Sequence, residues 1–229
     1  YYMIYFRSNS KPVVELESNF GQLSCVDHAE LDPIYRPTYT PNDPYWNNQY
    51  GLELIQADLA YDLWDIDGGE VPGEMASGEV VVGIVDNSLE WDHPDLIDNI
   101  WQNLGEDADG DGVVIVQSGG SWIFDPGDVN GIDDDGDNYV DNFIGWDVAF
   151  NDNDPMPINN QYDHGTNVAG CVSASTNNGT GIASVGWSIK LMGINSTDDP
   201  GFVTDGPQGI LTAGQMGADV INLSFGGSG

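Results

Sequence analysis

The chain has 229 residues, with 38 Asp and Glu against 4 Lys and Arg, a formal net charge of −34 and a hydrophobic fraction of 40%. That length suits one large domain, or a domain with a short extra segment, and the apolar fraction supports a real core. So little positive charge leaves almost nothing to neutralise phosphate, which excludes nucleic acid and anionic membranes as partners and makes cations or salt stabilising.

Residues 1–40 read as a separate, mostly extended segment, with a possible strand at 13–16. Pro37, Pro41 and Pro44 crowd residues 35–44, which suits an exposed linker. Leu52, Ile55, Leu59, Leu63 and Trp64 then recur at helical spacing, predicting one amphipathic helix over 52–65, stopped by Gly68 and Gly69. Residues 80–85 form a continuous apolar run ending on Asp86, the signature of a strand buried on both faces. From 105 to 160 the chain is acidic, rich in Gly and Asn and loop-like, interrupted at 142–148. Helix signals resume after His164 and continue to about Ser175. A buried strand over 189–194, a helix over 210–217 and a strand over 218–224 complete the chain. Strands alternating with helices predict an α/β fold with a largely parallel sheet, and function in such sheets gathers at the carboxyl ends of strands. Asp86 and Ser224 occupy two such ends.

Two cysteines are present, Cys25 and Cys171. A disulfide between them is not expected. Cys171 continues the small-residue helix after His164 and reads as a buried free thiol. No stretch is long and apolar enough to cross a membrane. The chain opens without Met and ends on Gly-Gly-Ser-Gly, so it reads as a piece of a longer protein.

The stretch from Asp163 to Gly170 (Asp-His-Gly-Thr-Asn-Val-Ala-Gly) joins an imidazole, the side chain best suited to proton transfer near neutral pH, to small residues that let a helix start close against other backbone. An acid at a strand end and a histidine at a helix start are two parts of a nucleophilic triad. On these residues the chain resembles the subtilisin-like serine proteases. The run Val81 to Asp86 with His93-Pro94-Asp95-Leu96 is similar to that family's catalytic-aspartate segment, and His164 to Gly170 to its histidine segment. Gly217 to Gly227 resembles the strand that pairs with bound peptide, and Pro41 to Leu52 the start of many mature subtilases. Residues 25–33 resemble the tail of their inhibitory propeptide, which places autocleavage between about 33 and 41.

The resemblance implies a three-layer, doubly wound, mostly parallel sheet, cut short at its C-terminus. It divides the chain into a propeptide remnant and linker at 1–40 and the N-terminal portion of a peptidase domain at 41–229. It implies a secreted serine endopeptidase in which Asp86 orients His164. Ser224, Phe225 and Gly226 would hold extended peptide, and Phe225 would wall the pocket before the scissile bond. The chain's own propeptide would be a further partner. Two departures stand out. Asn87 and Ser88 follow the catalytic acid where the family has Ser or Thr and then Gly; Asn87 is expected to donate to the carboxylate. The Gly-Thr-Ser-type nucleophile segment and the oxyanion-hole Asn segment are not in these 229 residues, so the chain by itself is expected to be inactive.

The insertion between Asp86 and His164 carries Asp107, Asp109 and Asp111, then Asp133, Asp135, Asp137 and Asp141. Carboxylates at every second position converge on one point when the backbone curls, as at positions 1, 3 and 5 of an EF-hand loop, which predicts calcium. Val113 and Tyr139 would add backbone oxygens. Neither loop has Glu at position 12, so these are not EF-hands proper. A further calcium site, implied by the family, would use Asp95 and the loop near Asn178. His28 and His93 read as structural. The rival readings are a catalytically dead subtilase-like binding module and a calcium-dependent structural or adhesion module; the second leaves the histidine string unexplained.

Overall fold

The computed structural model describes residues 18–26, 39–74, 79–157, 163–198 and 202–227. The chain divides into two compact units, Tyr1–Pro37 and Thr38–Gly229. In the first unit the described residues hold a short helical turn at 18–21 followed by the exposed, free Cys25. The expected strand at 13–16, His28 and most of the propeptide-like tail lie outside the described residues.

The second unit is built on four parallel strands in the order β4-β5-β1-β6. These are β1 (Val81–Asp86), β4 (Gly145–Asp147), β5 (Lys190–Asn195) and β6 (Val220–Leu223); β2 (Ile115–Ser118) and β3 (Ser121–Phe124) form a separate antiparallel hairpin. Every residue of β1 is buried, as its unbroken apolar run requires in a central parallel strand.

Alternate side chains of the sheet feed two different cores. Val82, Ile84 and Leu191 pack with Ala169 of the helix His164–Ser173, whereas Val81, Val85, Met192 and Ile194 pack with Ala213 of the helix Gly206–Gln215. One helix on each face makes the three-layer, doubly wound α/β architecture that the resemblance implied, on the parallel sheet anticipated from the strand–helix alternation. Ile84 and Val85 are 1% and 0% exposed, and burial of such a side chain is worth about 1.5–3 kcal/mol.

The expected helix over 52–65 is instead two short ones, α1 (Tyr50–Leu54) and α2 (Ala57–Tyr61), separated by a left-handed Gln56 at φ +58°. The core takes Leu52, Ala57 and Tyr61 against Ala183 and Trp187. Ile55, Leu59 and Leu63, which gave the helical periodicity, stay largely exposed. The helix of His164–Ser173 is α3 and that of Gly206–Gln215 is α4. The latter starts four residues before the expected 210, with Pro207 in its first turn, where a missing N–H is harmless. Cys171 is exposed rather than buried, because α3 turns Gly165, Ala169, Gly170 and Ser173 inward and carries Cys171 on the opposite face. Both cysteines are free.

The acidic insertion is not all loop. Gly119 and Gly120, both at positive φ, close the β2–β3 hairpin in the two-residue turn that matches strand twist. Phe124 at its far end stacks on Trp91 at 5.2 Å and leans on buried Phe143, which fixes the hairpin to the core.

Relieving the left-handed strain at Gln56 gives a direct check. Gln56→Gly should stabilise the chain by about 0.5–1 kcal/mol, the penalty of a side chain in that region less the added freedom of glycine when unfolded. The expected reading is a melting temperature about 2 °C higher; a lower one would show that the Gln56 side chain is itself needed.

Candidate active site and acidic loops

Asp86 ends β1 in register with Asn195 of β5, and Asp147 of β4 aligns with the same Asn195. This polar row lies at the carboxyl ends of the strands. Asp86 is 1% exposed, while the side chain of His164, the first residue of α3, is 54% exposed. Their contact is His164 Nδ1 to Asp86 Oδ1 at 2.7 Å. An ionised carboxylate can only accept, so a proton sits on Nδ1, and in the neutral imidazole Nε2 keeps its lone pair. Among the described residues no hydrogen bond reaches Nε2. The geometry leaves a half-exposed base held from behind by a buried acid.

The start of α3 is drawn onto the end of β1 by its glycine. A Cβ on Gly165 would meet the Ser88 carbonyl oxygen at 2.1 Å and the Asp86 Cβ at 2.9 Å, so only glycine allows His164 this close. Asn87 donates to the acid as expected, though from its backbone. Its backbone N–H donates to Asp86 Oδ1 at 2.8 Å, but its side-chain Oδ1 accepts the Gly165 N–H at 3.0 Å, capping the helix rather than serving the acid. Thr166 Oγ1 accepts the Glu90 N–H at 3.0 Å and closes the same seam one residue further on. Ser88, with φ +157°, is buried within it. Sequence reasoning identified Gly165 and Thr166 only as parts of a string; their tasks are steric and capping.

Ser224, Phe225 and Gly226 follow β6 as exposed chain on the same edge of the sheet. Asn222 Nδ2 donates to Ser224 Oγ at 2.9 Å, and the Phe225 ring lies against Gly206, where a Cβ would meet it at 2.9 Å.

The acidic loops are structural twins. Asp107 accepts the N–H groups of Gly110, Asp111 and Gly112, Asp109 accepts that of Asp111, and Asp111 accepts that of Val113. Asp133, Asp135 and Asp137 repeat this pattern with Gly136, Asp137, Asn138 and Tyr139. Each loop also gathers one buried acid from elsewhere. Carboxylate oxygens of Asp133 and Asp135 cluster with Glu106, and those of Asp107 and Asp109 with Asp128, each set within 4.8 Å. Glu106 and Asp128 are fully buried and had no motif in the sequence to announce them.

The structure does not bring Asp111, Asp137 or Asp141 into either cluster. Asp137 also accepts from Asn142 Nδ2, and Asp141 turns its carboxylate to the N–H groups of Asn130 and Gly131. The Tyr139 hydroxyl reaches Thr212 and Gln215 of α4. Asp95 is buried and accepts from Asn178 Nδ2 and the Ile182 N–H, while Asp43 accepts the Asn177 N–H. Asp43 Oδ1 is buried without a partner among the described residues, and no acidic spacing around it marks it as a ligand. His93 Nδ1 accepts the Asp95 N–H, the structural part expected of it.

The subtilase (peptidase S8) family model matches residues 77–229. The chain belongs to the subtilase family. Among curated subtilases, a thermophilic serine proteinase of Bacillus sp. (strain AK1) is 31% identical over 204 residues, 88% of this chain and 37% of that protein. Thermitase of Thermoactinomyces vulgaris is 32% identical over 193 residues, 83% of this chain and 49% of its own. The halolysin-like extracellular serine protease Nep of Natrialba magadii is 26% identical over 230 residues, 99% and 34% respectively. The chain therefore spans between about a third and a half of the length of these subtilases.

Burial, ahead of neighbouring charge, pushes the carboxyls of Asp95, Glu106, Asp128, Asp137, Asp147 and Asp154 above the usual carboxylate range. A raised native pKa means that the folded chain binds protons more readily than the unfolded one. Stability then falls as pH rises through the raised values, and the gain is complete below the ordinary value of about 4. In chelator, the melting temperature should accordingly rise as pH is lowered from 7 towards about 5. A fall over that range would mean that the carboxylates are better solvated than their burial implies.

Proposed function

We propose that this chain supplies the acid and the base of a secreted serine endopeptidase. The 2.7 Å bond between buried Asp86 and His164 carries the reading. His164 Nε2 takes the proton of a serine hydroxyl as that oxygen attacks a peptide carbonyl, then returns the proton to the leaving amine; Asp86 holds the tautomer and stabilises the imidazolium between the two steps. The serine belongs to a segment outside these 229 residues. Ser224, Phe225 and Gly226, exposed beyond an edge strand, pair with extended peptide as an added strand does, and Phe225 walls the pocket for the residue before the scissile bond. Residues 1–40 are the remnant of a propeptide with its linker, and 41–229 the first part of the peptidase domain. The extracellular relative supports secretion; among the described residues no helix is long and apolar enough to cross a membrane.

Peptide hydrolysis by the polypeptide continued through its serine segment tests this. Asp86→Asn and His164→Ala should each lower kcat by about 10⁴-fold or more. The 229-residue chain alone should hydrolyse nothing; turnover by it that a serine-directed inhibitor blocks would overturn the assignment.

We further propose that calcium stabilises this chain. The donor sets fit it, being carboxylate oxygens of Asp107 and Asp109, of Asp133 and Asp135 with Glu106, and of Asp95 with Asp43 beside the loop carrying Asn178. Bound there, calcium would neutralise like charges that otherwise repel, and no catalytic step passes through it. Chelator should lower the melting temperature by several degrees, and Asp135→Ala should lose part of that shift. Identical melting with and without chelator would sink the proposal.

A further inference from the structure

One carboxylate of the acidic insertion is only half satisfied among the described residues. Asp128 follows the β2–β3 hairpin through a turn and is 0% exposed. Its Oδ1 receives one long N–H bond from Asp109, at 3.3 Å, and its Oδ2 is buried with no hydrogen-bond partner among the described residues. A buried anionic oxygen without a donor is costly unless a positive charge faces it. Among the described residues Lys190 is the one Lys or Arg, and its ammonium lies beside Glu79 and the Asp98 carbonyl. No Lys or Arg among the described residues supplies the compensating charge at Asp128, and a cation from solution can supply it.

The surroundings are shaped for it. Oxygens of Asp107, Asp109 and Asp128 lie within 4.8 Å of one another, about twice a calcium–oxygen distance of about 2.4 Å. Asp109 reaches the cluster across Gly127, where any Cβ would sit 2.2 Å from its Oδ2. The glycine before Asp128 thus keeps open the space that the Asp109 carboxylate fills.

We propose that Asp107, Asp109 and Asp128 form a binding site for a divalent, oxygen-preferring cation of calcium's size, with Asp128 its buried anchor. The assignment rests on the calcium reading of the insertion but changes the ligand set that the loop spacing implies. Asp111 lies outside the cluster of carboxylate oxygens, and its place is taken by an acid from beyond the hairpin. The cation then ties the loop before β2 to the turn after β3, so that it fastens both ends of the hairpin rather than closing one loop.

Calorimetric titration of the whole chain with calcium, with thermal melts in calcium and in chelator, tests the assignment. Asp128→Asn should remove one equivalent of bound calcium. In chelator it should melt at or above wild type, since it discharges a buried group; in calcium it should melt below. Asp109→Asn, at an exposed position, should lose the same single equivalent and guards against misfolding of the buried variant. Wild-type stoichiometry in both variants, or an Asp128→Asn melt lowered equally with and without calcium, would overturn the site. If Asp133→Asn still removes an equivalent in that case, the calcium reading of the insertion survives and only this ligand set is wrong. If the wild-type chain binds no calcium, both fall together.

Discussion

The structure turns on the contact between the last residue of one strand and the first turn of one helix. Gly165 permits the approach, Asn87 and Thr166 stitch it, and the 2.7 Å bond from His164 to Asp86 is its product. Everything else in the peptidase unit serves to hold β1 and α3 in that relation. The two cores press one helix onto each face of the sheet, and the buried polar row at the strand ends leaves His164 as the group facing outward. Geometry of this kind is inherited from packing: a side chain is placed by the backbone that carries it, and the backbone by what it lies against.

Charge is the second organising fact. A chain with 38 acidic and 4 basic residues cannot pair its carboxylates with its own cations. It spends backbone N–H groups on them instead, in the twin loops at 107–113 and 133–139 and again around Glu106, which accepts from Asp134, Asp135 and Asp141. Such turns orient carboxylates without neutralising them. The result is a loop framework arranged in advance for hard cations, in which backbone hydrogen bonding has already met part of the ordering cost.

How much of this was legible in the sequence depended on the range of the interaction. The unbroken apolar run of β1 and the small-residue string after His164 are local patterns, and each formed the element it implied. The Asp86–His164 pair was legible because both residues sit inside specific strings. Alternating hairpin strands about Gly119-Gly120 were also written in the chain but were masked by the acidic composition around them. By contrast, the helix over 52–65 failed because periodicity cannot say which stripe meets a core formed by Ala183 and Trp187, far along the chain. Asp128, Glu106 and Asp43 were silent for the same reason: a lone acid acquires meaning from burial, and burial is a tertiary property.

The sheet also sets the order in which the molecule can assemble. Asp86 and His164 are 78 positions apart, and the N–H of Val81, which opens β1, is bound by Asp219 Oδ2 from 138 positions downstream. The hairpin and its loops lie between central strand β1 and its neighbours in the chain, and contacts of such sequence separation slow folding. The Asp86–His164 pair is itself one of these long-range contacts. A chain that has not yet gathered its distant strands holds no Asp86–His164 pair, so that bond is a marker of an assembled sheet.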